Sequence, residues 1–128
     1  MSLQVNVDEK KTNEFTISPI GSIDSETCDI FDKRVDSLLA LTPKVLIFNM
    51  EGITYITSMG LSVMVKAERA IKESGKTLIV INVPPQIKKV FDVVASLPAM
   101  NVFASIEEAD AYLLKIQRDE IEKQKSSE

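Results

Sequence analysis

Two short apolar runs, "VLIFNM" at 45–50 and "TLIVINV" at 77–83, bracket a stretch with helical spacing from Ser58 to Ser74. Unbroken apolar runs of this length read as strands buried on both faces. Parallel strands need a crossover connection, and a helix between two such runs supplies one. The chain is thereby restricted to α/β layers around a mostly parallel sheet. The flanks agree with that frame. Leu3 to Val7 and Phe15 to Ile20 alternate apolar and polar residues, as strands with one buried face do, and "DEKKTNE" between them reads as a polar hairpin connection. After "GSIDSE" a helix is expected, with Asp24 or Ser25 as N-cap, Cys28, Phe31, Val35, Leu38 and Leu39 on one stripe, and an end marked by Pro43.

Further along, Gly75 closes the second helix as its C′ residue. Pro84 or Pro85 opens a third, with Ile87, Val90, Phe91 and Val94 on one face. "NVFAS" reads as a short edge strand, and Ser105 with Glu108 as a capping box opening the last helix through Ala109, Tyr112, Leu113 and Ile116. The expected order is β-β-α-β-α-β-α-β-α: one α/β domain over residues 1–115, a mixed, mostly parallel sheet of about five strands and about four helices. Residues 116–128 turn wholly polar and read as a polar helical extension or a disordered tail.

Composition excludes several classes of function. A net charge of −4 with scattered lysines offers no electrostatic footprint for nucleic acid. No apolar run approaches the roughly 20 residues of a membrane span, so direct membrane insertion is not expected. The single cysteine rules out an intramolecular disulfide and favours a cytoplasmic setting. Without histidine the commonest general base and metal ligand is missing, and the four glycines form no phosphate-cradling loop. Cys28 has no histidine to make it a thiolate and reads as a small buried residue. No cofactor and no metal are expected, and an enzymatic function, built for instance on Asp24 and Glu51 near Ser58, is disfavoured.

In sheets of this kind, functional sites gather where strands run into helix N-termini. The chain has three such junctions, "GSIDSE", "YITSMG" and "NVPPQ". At the second, Ser58 as an N-cap would be worth about 1 kcal/mol over alanine, and Gly60 would allow close packing of helix on strand. The unpaired N–H groups of the same helix end are also a natural seat for a hydroxyl or a phosphate. Periodicity does not separate a cap from a control point.

From about Leu3 to Leu114 the chain resembles the anti-sigma factor antagonist family, the STAS domain. The resemblance is carried by "GSIDSET", by "VLIFNMEGITYITSMGLSVMVKAERAIKESGKTLIVINVPPQIKKVFDVV" and by "VFASIEEADAYL". Family members read as a hydrophobic strand, then Asp-Ser-(Ser/Thr/Ala)-Gly-Leu, then a helix, and later a Pro-led helix after a strand. Ser58 falls on the family's phosphorylated serine, Gly60-Leu61 on its Gly-Leu, and Asp24 on the Asp of its Gly-x-(Leu/Ile)-Asp turn. Two positions depart: Thr57 stands where the family has Asp, and Met59 where it has a small residue. The resemblance implies an interaction domain, not an enzyme, that binds a kinase-like anti-sigma factor and is switched by phosphorylation at Ser58, with Thr57 as the alternative acceptor. A second reading keeps the docking surface and drops the phosphate: a STAS subunit of a transporter complex that docks an ABC-type ATPase. The loss of the Asp at Thr57 leans towards it. Helical geometry places Leu61, Met64, Val65, Ala67 and Ile71 on the core side. Ser62, Lys66, Arg69 and Glu73 then fall opposite. The expected partner-binding residues are Asp24, Thr57, Ser58, Met59, Gly60, Ser62, Val63 and Lys66. The alternative is that Met59 and Val63 complete the core.

Overall fold

Alternation in Glu14–Ile23 and continuous apolarity in Val45–Asn49 are both resolved into one pattern in the computed structural model. Phe15, Ile17, Leu46 and Phe48 point into the core, while Thr16, Val45, Ile47 and Asn49 are only half-buried. The structure describes residues 2–96 and 106–126. Along it run β1 (Leu3–Lys11), β2 (Glu14–Ile23), α1 (Cys28–Leu39), β3 (Val45–Asn49), β4 (Ile53–Ile56), α2 (Ser58–Glu73), β5 (Thr77–Ile81), α3 (Pro85–Ser96) and α4 (Ile106–Ser126). The described residues form a single α/β domain with a five-stranded mixed sheet and four helices. Residues 101–105, expected as an edge strand, lie outside the described residues, as do Ser105 and the side chains of Val94, Glu108 and Ala109.

The ten-residue β2 organises the sheet. Along one edge it pairs antiparallel with β1, Leu3 opposite Gly21 through Lys11 opposite Glu14. The hairpin is tighter than the polar stretch "DEKKTNE" suggests, because β1 runs on to Lys11 and Asn13 turns the chain with φ 66°. Two parallel strands then take up opposite ends of β2, β3 at Glu14–Ile17 and β4 at Gly21–Ile23. The turn between those two strands is held by the Ile53 amide on the Met50 carbonyl and by the Gly21 amide on the Gly52 carbonyl. β4 is thus a separate strand leading directly into α2. β5 pairs in parallel with β3, Val45 opposite Thr77 through Asn49 opposite Ile81.

The expectation that both apolar runs are buried on two faces is corrected. β3 buries one face well, and among the described residues β5 ends the strand order, with only Leu78 half-buried and Ile79, Val80 and Ile81 exposed. Hydrophobic composition tells a strand from a loop; it does not tell how many faces of that strand are covered.

Helix α1 begins one turn later than the expected cap. Asp24 Oδ1 accepts the amides of Glu26 and Thr27, and Thr27 occupies the N-cap position. Cys28, Phe31, Val35 and Leu38 are buried as the spacing predicts. Burial pushes the Cys28 thiol up, and the neighbouring carboxylates of Asp32 and Asp29 add to the effect. Thiol reagents should therefore label Cys28 at least ~10-fold more slowly in the native protein than in denaturant at neutral pH, because the thiolate is both scarce and covered. Equal rates in the two states would show an open thiol.

Helix α2 ends as expected, with Gly75 following the C-cap at φ +70°. α3 opens on Pro85. α4 is helical to Ser126, which covers most of the polar stretch 116–128, and its Leu113 and Gln117 are buried.

Candidate functional site

The junction between β4 and α2 is fixed by main-chain bonds to the end of β2. Thr57, extended at φ −100° and ψ 175°, takes the N-cap position. Its amide and its hydroxyl both donate to the Ile23 carbonyl, at 2.9 and 3.1 Å, and the residue is only 6% exposed. Its own carbonyl receives the Leu61 amide, which starts the helical ladder. Thr57 Oγ1 is thus committed to the sheet and does not cap the helix.

Ser58 is the first helical residue, not the N-cap, which corrects the capping expectation. The cap comes from another helix. Asp110 of α4 places Oδ1 2.9 Å from the Ser58 amide and 2.6 Å from Ser58 Oγ, and both groups donate to it. A carboxylate here meets the partial positive charge of the helix end as well as an orphan N–H. The first turn of α2 contains no acidic residue of its own. Asp110 had no separable signal in the sequence, since it is one of several carboxylates in an acidic stretch and its partner lies 52 residues away.

Gly60 must be small. A Cβ there would lie 2.6 Å from Ile23 Cγ2 and 2.9 Å from Ile56 Cγ1, so the helix seats directly on the ends of β2 and β4. Gly60, Leu61, Val63, Met64, Ala67 and Ile71 form the buried stripe. Val63 and Val65 exchange the places expected of them: Val63 is 6% exposed in the core and Val65 is 49% exposed. Of the expected partner-binding residues, Thr57, Gly60 and Val63 are therefore supports beneath the surface. Ser58 is half-buried, and Met59, Ser62 and Lys66 are exposed along the same helix, Met59 at 41%. Ser62 Oγ donates to the Ser58 carbonyl at 2.9 Å. Lys66 reaches α1, donating to Asp32 and, at 2.9 Å, to Asp36. Those two hydrogen bonds, the one to Asp32 foremost, hold the Lys66 ammonium above its ordinary pKa. Asp24 follows Ile23 in the loop that receives Thr57, but its Oδ1 serves its own turn.

A second contact with α4 completes the junction. Gln117 Oε1 accepts the Ile56 amide and Nε2 donates to the Ile56 carbonyl, each at 2.9 Å, with a further bond to the Leu113 carbonyl. The arrangement places a hydroxyl, held by Asp110, at a helix N-terminus. Among the described residues no group of His, Cys, Asp and Glu is placed to hold a metal ion, and no helix is long and apolar enough to cross a membrane.

The STAS domain model matches residues 4–109. The chain belongs to the STAS domain family. Solved structures place this STAS domain beside anti-sigma factor antagonists in fold. The unphosphorylated form of the antagonist SpoIIAA is 16% identical with a TM-score of 0.64, over 72% of this chain and 81% of that one. The phosphorylated form of the Bacillus cell-fate determinant SpoIIAA is 16% identical with a TM-score of 0.61, over 70% and 82%. An anti-sigma factor antagonist from Mycobacterium paratuberculosis is 13% identical with a TM-score of 0.60, over 88% and 94%.

Proposed function

We propose that this STAS domain is a cytoplasmic protein-interaction switch that binds a kinase-like anti-sigma factor and is controlled by phosphorylation at Ser58. The observation that carries the reading is the placement of the Ser58 hydroxyl. Ser58 is half-buried at the start of α2, its hydroxyl on Asp110 and exposed Met59 and Ser62 beside it, whereas the neighbouring Thr57 hydroxyl is buried on the Ile23 carbonyl. That difference favours Ser58 over Thr57 as the acceptor. The accessible docking face comprises Ser58, Met59, Ser62 and Lys66, with the Asp24 turn beside them. Thr57, Gly60 and Val63 act from below by fixing the helix.

Affinity capture from native cells, with intact mass and partner identity read on one sample, tests this reading. The expected result is a form one phosphate heavier at Ser58 together with a kinase-like partner. An unmodified protein holding a transporter ATPase would overturn it and establish the docking-subunit reading instead.

A further inference from the structure

The carboxylate at the N-terminus of α2 comes from α4, and α4 has a second hold on the same junction. Asp110, Leu113 and Gln117 recur three and four residues apart, so they share one face of α4. Leu113 is buried, Gln117 grips both main-chain groups of Ile56, and Asp110 receives the amide and hydroxyl of Ser58. The helix is therefore fastened at two points about two turns apart. One is uncharged and rests on the last residue of β4; the other is charged and rests on Ser58 itself.

We propose that α4 is a latch over Ser58: Asp110 holds it shut in the unmodified protein, and a phosphate on Ser58 releases the part of the helix around Asp110. The proposal rests on Ser58 being the modified residue. In the transfer, Ser58 Oγ bonds to the γ-phosphorus of a nucleoside triphosphate and the bond from that phosphorus to its bridging oxygen breaks. The nucleoside diphosphate leaves with the electron pair, and the hydroxyl proton is lost, its nearest acceptor being Asp110 Oδ1.

The product cannot keep the latch. Oγ has no proton left to donate, and the Ser58 amide is within reach of the new phosphate oxygens. A group bearing about −1.5 to −2 charges then sits where the carboxylate stood. Asp110 loses both donors and faces like charge, and its one-carbon side chain gives it little room to withdraw without the helix. Gln117 and Leu113 carry no charge and keep their contacts. The result is local opening beside Met59, which turns a modification into a change of surface shape.

The test uses the full chain with phosphoserine genetically encoded at position 58, compared with the unmodified chain by amide hydrogen exchange. Exchange at the amides of residues 111–114, whose helical acceptors are the carbonyls of 107–110, should be at least ~10-fold faster with the phosphate, as for a helix segment shifted towards local opening. Asp110→Asn supplies the charge control, because an amide can donate to the phosphate. In that variant the phosphate should change exchange by less than ~3-fold. Unaltered exchange in the phosphorylated chain overturns the latch, and so does equal acceleration with and without Asp110→Asn, since a steric effect would not sense the charge. The phosphate is encoded, not added by a kinase, so this outcome does not depend on whether cells modify Ser58. That question is answered by the intact mass from native cells.

Discussion

Replacing Gln117 with leucine should destabilise the domain by about 2–6 kcal/mol, although no apolar contact is lost, because each of two buried main-chain groups left unpaired costs about 1–3 kcal/mol. The side chain is fully buried, at 0% exposure, and its amide satisfies the N–H and the C=O of Ile56 together. On its other edge β4 pairs with β2, Ile23 opposite Ile56. Gln117 thus does for Ile56 what a further strand would do, with one side chain in place of a backbone. Leucine fills similar volume but offers neither donor nor acceptor. Against a typical total stability of about 5–15 kcal/mol, the loss is a large fraction. Urea unfolding measures it: the midpoint should fall with the slope unchanged. A shift worth under ~1 kcal/mol would mean that water reaches Ile56 and replaces the amide.

The frame of the fold was legible because its signals are local. The βαβ unit, the limits of α2, Gly75 after it and Pro85 at the start of α3 each follow from periodicity or from one residue's backbone restrictions. Ser58 was legible as a helix start for the same reason. The parts that were not legible depend on tertiary placement. The spacing puts Val65 on the core side of α2 and Val63 beside it, and only the position of the neighbouring elements decides that Val63 is inside and Val65 outside. β5 is as apolar as β3, yet most of its residues are exposed among the described residues. Asp110 and Gln117 sit in a run of polar residues, and their partners are 52 and 61 residues away. Nothing local marks one carboxylate in "EEADAYL" as a helix cap or one amide in "KIQRDE" as a substitute strand.

A phosphate on Ser58 should weaken the complex with the captured partner by roughly a hundred- to several-thousand-fold while the domain stays folded. Two opposing effects act on the domain itself. At the N-terminus of α2 a dianion gains about 0.3–2 kcal/mol from the helix end. Against this, the bonds from the Ser58 amide and hydroxyl to Asp110 are lost. These nearly offset, and the Gln117 contacts are untouched, so the thermal midpoint should move by only a few degrees. At an interface the balance is different. A charge of about −1.5 to −2 buried against a partner without a mate costs on the order of 3–5 kcal/mol, and each 1.4 kcal/mol is a decade in affinity. The interface effect is larger by several kcal/mol, so a phosphate on Ser58 should change binding and leave the domain folded. Titration of the purified partner against the unmodified, phosphoserine and Ser58→Ala chains decides the matter. The alanine chain should bind within ~10-fold of the unmodified one, since it removes a hydroxyl and adds no charge. Binding of the phosphoserine chain as tight as that of the unmodified chain would place Ser58 outside the interface, and the docking face on α2 would have to be abandoned.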